Sequence, residues 1–244
     1  MKKNKMNMWA VAVAVILVLS LCACGQQGSV STNTNSEVIS GWGDSVGGRP
    51  SYTIAEIDDG VLQDRIIFNV VSNSPMGDEK NFVGARENTS VDAGLDNIWD
   101  GNEVEAKDGA TFLVRLYVDN CNPNGEDAVS ENTRVAFNVP TESGTELAVH
   151  GYIYSDNADP TEYWDGVRFY SDAPFHLEYV YGGALLENNG IGADGGIQLG
   201  DEIVTKAASE HGVQIGYNEL DGRIPGGSTY AAYITIQVKT VFDS

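Results

Sequence analysis

Residues that could do chemistry are few, and they are spread thinly along a chain of 244 residues. The densest oxygen-bearing run is Asn120-Cys121-Asn122-Pro123-Asn124-Gly125, with Glu131 six residues after the glycine. Asn120, Asn122, Asn124 and Glu131 fall at the first, third, fifth and last positions of a calcium-loop spacing, and Gly125 falls where that loop turns sharply. A hard divalent cation needs several oxygens, and Glu131 can offer two, so calcium is a candidate ligand. Against it stand Asn in place of the usual first Asp, the stiffness of Pro123, and flanks that read as strands rather than helices. The competing reading is a strand connection, rich in Asn and Gly because turns select those residues. A second polar stretch, Asp156-Asn157-Ala158-Asp159, fits no motif.

Aromatic residues suggest a different chemistry. Tyr152 and Tyr154 share a strand face with His150, and Tyr163, Trp164 and Tyr170 follow within a few residues. An exposed strip built on Tyr152, Tyr154 and Trp164 could stack on sugar rings or meet a protein partner. If residues 51–90 cover this face, the same side chains become a second layer of core. The three histidines give little sign of catalysis: His150 opposes Val149, His176 opposes Leu177, and His211 closes a short expected helix where a cation suits the dipole. The chain lacks a Gly-x-Ser-x-Gly elbow, a His-Glu-x-x-His pair, a Cys-x-x-Cys pair and a phosphate-binding glycine loop. Carboxylate pairs are uninformative among 35 acidic residues, since some will always fall at glycosidase spacing. The expectation is therefore a protein that is not an enzyme and requires no cofactor.

The address is easier to read than the chemistry. Lys2, Lys3 and Lys5 precede an apolar run from Trp9 to Leu21, which is short for a membrane span and suits a signal segment. The run ends in LCACG at 21–25, with small Ala23 directly before Cys24 and an apolar residue at minus three. This pattern marks Cys24 as a lipidated cysteine, with 1–23 removed; Cys22 is the poorer candidate because bulky Leu21 precedes it. Two acyl chains suffice for stable anchoring, so the membrane is an expected partner through the N-terminal lipid, on the outer face of the cell membrane. Cys121 is then the only free thiol of the mature chain, so no internal disulfide is expected. Nothing beside Cys121 in sequence would activate it, and it reads as a thiol without a role.

Residues 24–50 are rich in Ser, Thr, Asn and Gly and read as a flexible tether. Loss of the three leader lysines moves the formal charge from −21 to −24. That balance argues against nucleic acid and against adhesion to anionic lipid. A surface protein or a glycan is the expected partner.

The elements that must carry these residues are strands. Thr111–Asp119, Arg134–Val139, Leu147–Tyr154, Val167–Tyr170, His176–Tyr181 and Thr229–Val241 alternate with period two, and Gly, Asn, Asp and Pro fill the gaps. Arg65–Ser72 adds an earlier run with Ile66, Phe68 and Val70 on one face. One helix is expected over Asp201–His211, acidic at its start and closed by Gly212. The expected fold is all-β: an Ig-like antiparallel β-sandwich with an elaborating insertion and one short helix, spanning 51–244, with lead-in strands over 51–90 and the module proper over 91–244.

The block DGATFLVRLYVDNCNPNGEDAVSENTRVAFNVP at 108–140, followed by LDGRIPGGSTYAAYITIQVKTV at 220–241, resembles the Ig-like repeat modules of bacterial surface proteins catalogued as domain of unknown function eleven. The matching features are a strand ending at Asn120, a strand running into Pro140, and a terminal strand introduced by Pro225-Gly226. The resemblance covers roughly 103–241. It implies an Ig-like sandwich; a structural, adhesion or protein-interaction role is expected because the recognisable signals concern delivery, display or folding and none concerns bond-making. Residues 68–87 look like the lead-in of a secreted bacterial family that carries such modules, and the stretch 155–190 is longer than a minimal module holds.

Overall fold

The computed structural model describes residues 40–41, 50–89, 102–206 and 211–243. The leader, Cys24 and nearly all of the tether lie outside the described residues. Within the unit Asn33–Ser244, the strands are β1 (Ser40–Gly41), β2 (Val83–Glu87), β3 (Glu103–Glu105), β4 (Thr111–Val118), β5 (Arg134–Asn138), β6 (Gly144–Tyr154), β7 (Glu162–Tyr179), β8 (Leu185–Asn188), β9 (Ile197–Gln198), β10 (Val213–Gln214) and β11 (Ala232–Phe242). Among the described residues, two short α-helices, α1 (Ile54–Asp58) and α2 (Glu202–Thr205), and two single 3-10 turns, Gly125–Asp127 and Ser228–Tyr230, complete the elements. The hydrogen-bonded path runs β10-β5-β6-β7-β11-β4-β2. Its neighbours are all antiparallel; β3 joins β7 in parallel.

Strand β7 is the pivot of this path. Its first half, Glu162–Tyr170, pairs with β6, which meets it once more at Phe175 after a register shift, while Phe175–Tyr179 pairs with β11. The change of partner falls across Ser171–Pro174, where a proline without an N–H costs no ladder bond. The path therefore folds into two layers. One holds β10, β5, β6 and the start of β7; the other holds β2, β4, β11 and the end of β7, with β8 and β9 beside β11. Their inner faces meet through apolar side chains. A methyl group added at Gly151 of β6 would lie 2.7 Å from both Leu116 Cδ1 and Val83 Cγ2. The Phe112 and Phe169 rings meet edge to face at 5.3 Å. Ala232, Ile234, Ile236 and Val238 alternate into the core as period two requires. The expected all-β sandwich is the architecture found.

Local differences from the sequence reading have physical causes. Val167–Tyr170 and His176–Tyr181 were expected as separate strands, but Pro174 does not end the extended backbone and they form one strand of 18 residues. The helix expected over Asp201–His211 stops at Thr205, with no basic residue in its last turn to favour extension. Residues 207–210 lie outside the described set, and His211 has a φ of +54°, so it does not close a helix. Helix α1 was not anticipated; its Thr53 cap and Glu56 form a reciprocal capping box. Inside the expected tether, β1 pairs with Asp165 and Trp164 of β7.

The lead-in segment is part of the core rather than an appendage. Arg65–Ser72 was expected as a strand with one buried face. Instead Ile66 to Val71 are all buried, and the backbone makes isolated bridges, Ile66 to Ala158, Phe68 to Asn120 and Val71 to Tyr52. Asn69 breaks the alternation with a φ of +50°. Its carboxamide clamps the end of β4, donating to Tyr117 O at 2.7 Å and accepting from Asp119 N at 2.7 Å.

Candidate functional site

That clamp helps fix the chemistry-bearing end of β4. Beyond Val118 the chain stays extended, so Asp119 and Cys121, two residues apart, point the same way. Cys121 is held by its amide, which donates to Ile67 O at 2.9 Å. Glu79 arrives from the lead-in; its amide donates to Val71 O at 2.9 Å, and its Oε2 accepts from Val71 N at 3.4 Å. One ligand atom from each of Glu79, Asp119 and Cys121 lies within 4.8 Å of the other two. The three are 3%, 2% and 3% exposed.

The cluster lines an open cavity of about 510 Å³, walled by Ile54 and Ile57 of α1, Val71, Met76, Pro123 and Tyr233. A second cavity of about 490 Å³ shares Met76, Glu79 and Tyr117 and adds Arg115. Cys121 Sγ donates to Glu79 Oε2 at 3.6 Å. Asp119 Oδ1 is buried with no hydrogen-bond partner, and Asp119 makes no ion pair among the described residues. Burial, and then the Glu79 charge, push the Asp119 carboxyl well above the usual carboxylate range. Burial, followed by Asp119 and Glu79, raises the Cys121 thiol. Tyr117 and Tyr233 are raised as well, with burial the main cause in each. A thiol and two acidic groups thus share a small volume, and one carboxyl oxygen there has nothing to bind.

The Asn-rich run is put to another use. Asn120 is fully buried, and its Nδ2 donates to Ala128 O at 2.9 Å and Ile224 O at 3.0 Å, while its Oδ1 accepts from Asn122 N at 3.2 Å. Asn122 Nδ2 donates to Leu62 O and Arg65 O, both at 2.8 Å, and its Oδ1 accepts from Asn124 N at 2.9 Å. Asn124 reaches Gln63 O at 2.9 Å. Glu131 is exposed, and its amide donates to Asn157 Oδ1 at 2.8 Å. These side chains brace the loop to the lead-in and to the 222–226 turn. Gly226 completes the fit, since a Cβ there would lie 2.1 Å from Asn122 O.

The aromatic residues form a ladder on β6. The Tyr152 and Tyr154 rings are parallel within 7° at 6.0 Å, and His211 stacks on Tyr154 at 4.1 Å. His150 meets Trp164 edge to face at 5.6 Å. Tyr152, Tyr154 and Trp164 are all half-buried, and stacking occupies ring faces that a sugar would need. His176 lies 3.1 Å from Asp243 Oδ1 on the surface strand pair β7–β11.

Sequence reasoning had no route to Glu79 as a site residue. It stands 40 positions from Asp119, and no short motif joins them. The available signal was Asp119 itself, an acidic residue ending an apolar strand, next to the chain's only downstream cysteine. Searches against family models, curated proteins and solved structures find nothing that matches this chain.

Proposed function

We propose that the chain is a lipid-anchored module displayed on the outer face of the bacterial cell membrane, working by protein contact or adhesion rather than by bond-making. The observation that carries this reading is the order of its parts. A basic start, an apolar run and the LCACG sequence at Cys24 precede a polar tether, and the sandwich comes last. The half-buried ladder of Tyr152, Tyr154 and His211 supports a protein partner, because part of its aromatic surface stays exposed while its stacked ring faces are already occupied. The resemblance of 103–241 to Ig-like surface modules points the same way.

Two measurements test this. Cys24→Ala should move the protein from membranes to the soluble fraction, and retention on membranes would contradict the anchor. Protease added to intact cells should remove the module; a full-length chain surviving that treatment would contradict display. A carbohydrate-binding module using Tyr152, Tyr154 and Trp164 is the second reading, favoured by the presence of Trp164 beside the Tyr pair. A glycan array run with and without calcium distinguishes it: specific binding lost in Trp164→Ala would replace the protein-contact reading.

A further inference from the structure

We propose that Glu79, Asp119 and Cys121 form a site for one zinc-class divalent cation, held by two carboxylates and a thiolate, with the cavity supplying a fourth position. The geometry comes first. Tetrahedral coordination with bonds of about 2.1 Å to oxygen and 2.3 Å to sulfur places those ligand atoms about 3.6 Å apart. Cys121 Sγ and Glu79 Oε2 are 3.6 Å apart, and the third ligand atom is within 4.8 Å of both.

An independent observation points to a missing partner. Asp119 lines the cavity, and its Oδ1 is buried and accepts no hydrogen bond. Buried polar atoms nearly always find a partner, because an unpaired one loses its hydration without compensation. A cation bound to that oxygen would supply one. The donor set selects the metal: calcium and magnesium take oxygen ligands, whereas a thiolate favours zinc and its first-row neighbours. Three protein ligands leave one position open to the cavity, where water completes the shell. Binding exchanges the thiol proton, and any carboxyl proton, for the metal, and those protons leave to solvent. The bound cation would tie the lead-in to the end of β4.

The test uses the full chain in non-ionic detergent under reducing conditions, with Cys22→Ser and Cys24→Ser so that Cys121 is the only thiol. Titration with cobalt(II) alone should saturate at one ion per chain and give a thiolate-to-cobalt charge-transfer band that zinc abolishes by displacement. Adding Cys121→Ser should eliminate the band. Asp119→Asn, which keeps the shape and removes a buried acid, should weaken cobalt binding at least about tenfold. Absence of the band, its survival in Cys121→Ser, or unchanged affinity in Asp119→Asn would overturn the assignment. Should Cys121→Ser fail to fold, as judged by circular dichroism, the Asp119→Asn comparison still decides. The competing arrangement, a proton shared between the two acids, predicts no cobalt band.

Discussion

Phe68→Ala is expected to destabilise the folded unit by about 3–5 kcal/mol, the cost of removing a fully enclosed aromatic ring. Phe68 has no exposed surface and meets the Tyr163 ring edge to face at 5.4 Å. Tyr163 belongs to β7, so the ring joins the lead-in to the strand common to both layers. The measurement is the urea midpoint, followed by circular dichroism. A loss below about 1 kcal/mol, the scale of a surface change, would mean that residues 52–82 are an accessory segment rather than core. The same segment supplies Glu79 and α1 to the cavity wall, so the prediction also bears on the site.

Asn120→Ala carries the second large effect. It strips Ala128 O of its donor and Asn122 N of its acceptor inside a buried loop, and it removes one of the two donors to Ile224 O, which keeps Ser130 N at 3.0 Å. Each buried group left unpaired costs about 1–3 kcal/mol, so a total of about 3 kcal/mol or more is expected. Asn124→Ala, at an exposed position with one bond to Gln63 O, should cost less than about 1 kcal/mol. Thermal unfolding of both variants, with and without a calcium chelator, separates the two readings of this loop. If the asparagines are braces, the chelator leaves the wild-type transition unchanged and Asn120→Ala lowers it in either condition. A wild-type transition that falls on chelation would restore calcium to the loop.

The strands that were legible in sequence are those with one face in the core and one in solvent. β11 alternates for that reason, as do Thr111–Leu116 of β4 and Val149–Tyr154 of β6, whereas Val135, Ala136 and Phe137 of β5 are all buried. Period two fails wherever both faces are covered. Ile66–Val71 shows this most plainly, because its pattern of Ile66, Phe68 and Val70 reads as a half-buried strand while the intervening residues are buried too. The capping box at Thr53–Glu56 was present in sequence, yet α1 has only five residues and no apolar stripe long enough to announce it. The site was less legible than the fold. Spacing rules detect ligands carried on one loop, whereas Glu79 is brought to Asp119 and Cys121 by the packing of distant segments. The same rules picked out Asn120, Asn122 and Asn124, because a loop that must brace itself and a loop that must bind calcium draw on similar side chains.

A strand shared by two layers has a mechanical consequence. In a sandwich joined only by side chains, one sheet can slide over the other by repacking apolar groups. Here β7 is hydrogen-bonded to β6 along one half and to β11 along the other, so sliding becomes tension along a continuous backbone. Resistance to shear then comes from ladder bonds loaded together rather than from contacts that yield one at a time.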